Sequence, residues 1–104
     1  MRGFWLLPIL TLLPALVAHA DDRTALIRMV RQDCGSCHGM TLKGGLGTPL
    51  TAQALSEKPG ESLVATILYG RPGTAMPAWK TILSESDAQW IVGHLQEGFP
   101  EERR

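Results

Sequence analysis

Both cysteines of this 104-residue chain fall in the stretch DCGSCHGM, as Cys34 and Cys37, and His38 follows the second directly. Thiol and imidazole groups at this spacing suit three chemistries: a metal site, disulfide exchange, or covalent attachment of a haem. A structural zinc site closes with four Cys or His ligands. Beyond these three residues the chain offers only His94 and His19, the latter in its apolar N-terminal stretch, and a ligand set using adjacent Cys37 and His38 is strained. A disulfide exchanger of the thioredoxin kind sets its C-x-x-C near a strand-helix-strand pattern, and no strand alternation occurs here. C-x-x-C-H is the attachment signature of a c-type haem. Each thiol adds across a porphyrin vinyl group, the two-residue spacer matches the vinyl separation, and the next imidazole lies under the iron. This reading takes Cys34 and Cys37 as the covalent bonds to one haem c and His38 as an axial ligand.

The second axial ligand separates electron transfer from ligand chemistry. Of four methionines, Met1 belongs to the N-terminal stretch, Met29 to the inward face of the first helix, and Met40 lies too close to His38 to cross the ring. Met76 stands in GTAMPAW, held between Pro72-Gly73 and Pro77 and far enough along the chain to reach the opposite face. A methionine is usually a core filler, but one bracketed by prolines in a polar loop of a C-x-x-C-H chain is expected to bind the iron. His94 is the rival, though a histidine one turn after Trp90 is more often a packing residue. A thioether ligand favours the ferrous state and raises the potential relative to a second histidine. The His38 ring N–H should donate to a backbone carbonyl of the Gly47-Thr48-Pro49-Leu50 turn, fixing its tautomer. Arg71 and Trp79 are candidates to meet a haem propionate.

The elements around these residues must be short. A chain of 104 residues is near the lower end of what builds an adequate core unaided. Residues 1–20 carry one basic residue, an apolar run from Phe4 to Val17 and Ala18-His19-Ala20, the pattern of a cleaved secretory signal peptide. The alternative, a retained anchor, needs about 20 apolar residues, and this run is shorter and holds Pro8 and Pro14. The mature domain is then expected over residues 21–104, exported to the periplasm and with no stable membrane insertion. Of ten basic residues Arg2 leaves with the leader, so nine face ten acidic ones. A net charge of minus one argues against a nucleic-acid partner.

From Arg23 to Asp33, Leu26, Met29 and Val30 fall at helical spacing, which predicts an amphipathic helix running into Cys34. Glycines and prolines from Gly39 to Gly60 rule out a long regular element. ESLVATILYG reads as a short helix with Leu63 and Ile67 inward, joined by Val64 and Leu68, and stopped by Gly70 and Pro72. A tight loop runs from Gly70 to Trp79. Ser84, with Asp87 three residues on as a weaker capping box, starts a last helix to about Glu97 with Ala88, Ile91, Val92 and Leu95 inward. The class is all-α: three to four helices wrapped around one haem.

On these residues the chain resembles class I cytochromes c over nearly its whole length from residue 21. DCGSCHGMTLKGGLG and LVATILYGRPGTAMPAW are more similar still to the small periplasmic cytochromes of the c-55X type, found with haem-cd nitrite reductase. The resemblance implies the small all-α cytochrome c fold, thioether bonds at Cys34 and Cys37, and axial ligation by His38 and Met76. It also implies a monomeric one-electron carrier and not an enzyme, with redox protein partners including a periplasmic nitrite reductase. An accessory role in maturing that reductase or inserting its haem is the alternative. One departure stands out: the family's Gly-Pro-x-Leu is here Gly47-Thr48-Pro49-Leu50, leaving the Thr48 and Pro49 carbonyls both as candidate acceptors for His38.

Overall fold

The computed structural model describes residues 23–102, together with Gly3 and Pro8. The expected signal peptide over residues 1–20 therefore lies outside the described residues, those two positions aside. Helix α1 spans Thr24–Met29, passes through a π-wound turn at Val30–Cys34, and continues as α2, Gly35–His38. Then come α3, Ala52–Leu55; α4, Gly60–Tyr69; and α5, Glu85–Glu97. No strand occurs among the described residues, so the all-α expectation holds. None of these helices is long and apolar enough to cross a membrane.

The inward stripes form one core. Leu26 and Val30 from the first helical stretch meet Leu55 of α3 and Ile91 and Leu95 of α5, with Leu42 and Leu83 supplied by the loops. On α5 all four expected positions, Ala88, Ile91, Val92 and Leu95, are buried. On α4 the emphasis shifts: Leu68 is the buried residue, while Leu63 and Ile67 pack half-buried at the core's margin. Met29, Leu50 and Trp79 lie at that margin too, so a band of apolar side chains stays partly open. That is the packing expected of a small chain whose core is completed by an apolar group other than its own side chains.

Two differences from the sequence reading matter for the site. The first helical stretch does not end at Asp33 but carries on through His38, because the π turn absorbs one residue and keeps the winding intact. A four-residue helix, α3, interrupts the glycine-rich segment, started by Thr51, whose hydroxyl accepts from the Ala54 N–H at 3.2 Å. Within the same segment Leu42 takes a left-handed φ of 61° although it is buried. Its N–H donates to the Gly39 carbonyl and its own carbonyl accepts from the Leu50 N–H, both at 2.8 Å, which folds the segment back on itself.

The cap of α5 is a complete capping box. Ser84 Oγ accepts from the Asp87 N–H at 3.0 Å, and Asp87 Oδ2 accepts from the Ser84 N–H at 3.1 Å. The Ser84 backbone N–H, then its hydroxyl, with help from Arg23 at 2.9 Å, hold the Asp87 carboxyl below its ordinary value of 3.8. A depressed carboxylate stabilises the fold above pH 3.8, and its contribution is lost as the pH falls through the folded-state value. Ser84→Ala should cost about 1 kcal/mol. Calorimetry should then show a melting temperature lower by roughly 4–8 °C.

Candidate haem site

Cys34 closes the π turn, and Cys37 and His38 lie in the helical turn that follows, so one continuous stretch carries all three. Cys34 and Cys37 are not joined to each other by a disulfide. Cys34 is half-buried and Cys37 exposed. Before a haem is attached, burial, with the neighbouring Asp33 charge adding to it, pushes the Cys34 thiol up from 9.0 to about 11. Among the described residues no three His, Cys, Asp or Glu side chains gather as a metal ion requires.

The helix stops at Gly39, whose φ of 93° only glycine adopts cheaply. The chain then doubles back under the helix end. The Gly47 N–H donates to the Cys37 carbonyl at 2.7 Å and the Gly44 N–H to the His38 carbonyl at 2.8 Å, capping groups that a helix terminus leaves unpaired. This return places the Thr48 carbonyl 2.6 Å from His38 Nδ1. A carbonyl only accepts, so Nδ1 carries the proton and Nε2 keeps its lone pair for a ligand. Of the two carbonyls open to the sequence reading, Thr48 is the partner.

Gly47 is required by closeness. A Cβ there would sit 2.8 Å from both Cε1 and Nδ1 of the His38 ring. Gly47→Ala should therefore cost roughly 1–3 kcal/mol through overpacking. Denaturant titration should show a lower midpoint with an unchanged slope, since the compactness of the chain is not altered.

Met76 lies half-buried in the loop between α4 and Trp79. Its carbonyl accepts from the Arg71 N–H at 3.2 Å, and its N–H donates to Thr74 Oγ1 at 3.3 Å. The far end of the loop is tied to the C-terminus of α4, with Trp79 N–H donating to the Ile67 carbonyl at 3.0 Å and Lys80 N–H to the Leu68 carbonyl at 3.1 Å. Residues before and after Met76 are thus fastened to the same helix end. Among the described residues these bonds do not join the Met76 loop to the Gly44–Thr48 turn, so the two halves of the expected ligand set are built separately.

Gly70 is the residue whose role the sequence understated. It reads as a helix stop, but at φ 71° and ψ −172° it occupies a region open essentially to glycine alone. A Cβ there would lie 2.7 Å from the Met76 carbonyl oxygen and 2.8 Å from Pro77 C. The signal that could have found it is the run Gly70-Arg71-Pro72-Gly73, too many breakers for a plain helix end. The rival ligand His94 lies with its ring centroid 4.0 Å from that of Trp90 on α5, and Trp90 meets Phe99 edge-on at 6.1 Å. Arg71 is exposed, and Trp79 packs at the margin of the core.

The donor set fits a haem. Two thiols stand three residues apart on one helical stretch, an imidazole has its Nε2 left for a ligand, and Leu50, Leu63, Ile67 and Trp79 leave a partly open apolar band. Comparison with known proteins agrees. The family model described as cytochrome C oxidase, cbb3-type, subunit III, matches residues 21–95. Cytochrome c55X of Pseudomonas aeruginosa is 53% identical over 103 residues, spanning 93% of this chain and 87% of its own. Cytochrome c55X of Stutzerimonas stutzeri is 51% identical over 81 residues, 78% of this chain and 72% of its own. The solved structure of the c-type cytochrome NirC superposes with a TM-score of 0.73 at 56% identity, covering 76% of this chain and 93% of that one. With relatives more than half identical across most of both chains, the protein belongs to the c-type cytochromes, among the cytochromes c55X, and its prosthetic group is a covalently bound haem c.

Proposed function

We propose that the protein is a periplasmic one-electron carrier of a nitrite-reducing chain, in which Cys34 and Cys37 hold the haem and His38 and Met76 are its axial ligands. The observation that carries this reading is the 2.6 Å contact between His38 Nδ1 and the Thr48 carbonyl, which leaves Nε2 as a ligand and holds the ring in one orientation. A haem held in this way supplies one-electron exchange between ferric and ferrous iron. Met76, in a loop fastened at both ends to α4, would bind the iron together with His38, and a haem held by both side chains would supply electron exchange rather than a substrate site. The role is therefore that of a carrier and not an enzyme.

The N-terminal twenty residues, read as a cleaved leader, deliver the mature domain of residues 21–104 to the compartment where c-type haem is attached. Similarity to the cytochromes c55X supports a periplasmic nitrite reductase as the electron acceptor. A monomer docking through a small, quickly released contact suits that traffic. The test is to delete the gene and purify the reductase. A reductase with its full haem complement, reduced by added carrier but starved of electrons in the cell, supports the carrier role. A reductase lacking its special haem sinks it in favour of a maturation role.

A further inference from the structure

The stretch that presents Cys34, Cys37 and His38 carries a feature the ligand set does not explain. At its centre the winding is π: the Gly35 N–H is shared between the Gln32 carbonyl, three residues back, and the Val30 carbonyl, five back. One residue added to a turn of 3.6 advances everything after it by roughly 100°. The burial pattern records that step. After Leu26 and Val30 an α-winding would turn Asp33 and Cys34 inward, whereas Asp33 is exposed, Cys34 half-buried and Gly35 buried. Such turns are rare and persist where their surroundings hold them.

What holds this one comes from the other end of the chain. Arg31, inside the π turn, donates from Nη2 to the Phe99 carbonyl at 2.7 Å and from Nε to the Pro100 carbonyl at 3.0 Å. Its guanidinium also lies 5.7 Å from the centre of the Phe99 ring and 3.5 Å from Glu101. Only 12% of the side chain is exposed, so it is a packed fork and not a loose surface ion pair. On either side of it Arg28 and Gln32 both bond Glu102, at 3.1 and 3.0 Å. Phe99 is itself seated edge-on against Trp90 of α5. The segment after α5 therefore lies across the π turn as a strap, and Arg31 is its buckle.

We propose that Arg31 is a positioning residue: by tying Phe99 and Pro100 across the π turn it keeps the added residue in the winding and so sets the face on which Cys34, Cys37 and His38 meet the haem. The inference rests on the haem reading of those three residues. A planar guanidinium can serve two carbonyls at once, which a lysine ammonium on a flexible stem does poorly.

The test uses the ferrous holoprotein, reading amide exchange at Gly35 against Ile91 of α5, and the ring resonances of His38. In Arg31→Ala the Gly35 N–H should exchange about tenfold faster, as expected for local opening after charge-assisted bonds are lost, while Ile91 stays within about twofold. The His38 ring resonances should shift, which loss of global stability alone does not produce. Arg31→Lys should behave nearly as Arg31→Ala. Phe99→Ala, which keeps the carbonyls and serves if the arginine variants do not fold, should accelerate Gly35 selectively by a smaller factor. Equal acceleration at Gly35 and Ile91, or none at Gly35, overturns the proposal. Mass spectrometry of the same samples keeps the two readings apart: absence of a haem adduct on Cys34 and Cys37 sinks the attachment assignment, whereas a uniform exchange response sinks the strap alone.

Discussion

Met76→Ala is expected to turn a closed haem protein into one whose ferrous form binds carbon monoxide rapidly and tightly in the native state. The wild-type protein, with the thioether in place, should stay unreactive under the same conditions. The reason is that separate bonds hold His38 and Met76: His38 is held by Thr48 at 2.6 Å, and Met76 by a loop fastened to α4. Truncating one side chain leaves the other, and the thioether bonds, where they were. A thioether also favours ferrous iron. Its loss should lower the reduction potential by on the order of 0.1 V, a modest part of the roughly 0.8 V that axial ligands span. Carbon monoxide binding in the untouched protein, or its absence in the variant, would remove Met76 from the ligand set.

Gly70→Ala should reproduce that behaviour with the methionine still present. At φ 71° and ψ −172° any side chain is strained, and the new Cβ would meet backbone on the far side: the Met76 oxygen at 2.7 Å, Pro77 C at 2.8 Å and Ala78 N at 2.9 Å. None of these is the free end of a flexible side chain. The loop must move, and Met76 moves with it. Backbone strain and overpacking together should cost on the order of 2–4 kcal/mol. Carbon monoxide should now bind to the reduced variant, and the absorption spectrum should report a changed axial field. A Gly70→Ala protein with the wild-type spectrum and a closed iron would show that the loop relaxes without shifting its methionine.

The two expectations differ in how far they could be read in advance. Met76 is legible because a methionine bracketed by Pro72, Gly73 and Pro77 has no ordinary core role. Gly70 is legible only as a stop, since what makes it irreplaceable is backbone six to eight residues further on. The helix of residues 24–38 shows the same boundary. Leu26, Met29 and Val30 announce an amphipathic helix, but nothing local announces its π turn, whose support, Phe99 and Pro100, lies 68 and 69 residues away. The short helix α3 escaped because four residues carry too little periodicity to stand out among glycines and prolines, even with a threonine cap.

The sequence by itself marked the atoms proposed to hold the haem: Cys34, Cys37 and His38 sit at a spacing set by covalent geometry, which is local and survives any fold, and Met76 is marked by its immediate neighbours. It also determined the helical class, through apolar spacing on α5 and its Ser84 cap. Only the tertiary structure decided that Thr48 and not Pro49 orients the histidine, that Gly70 has backbone beneath it, and that Arg31 is half-buried under the chain's end. Each of those is a contact between segments that the chain must first bring together. Their energies depend on distances of a few tenths of an ångström, which folding sets and residue order does not display.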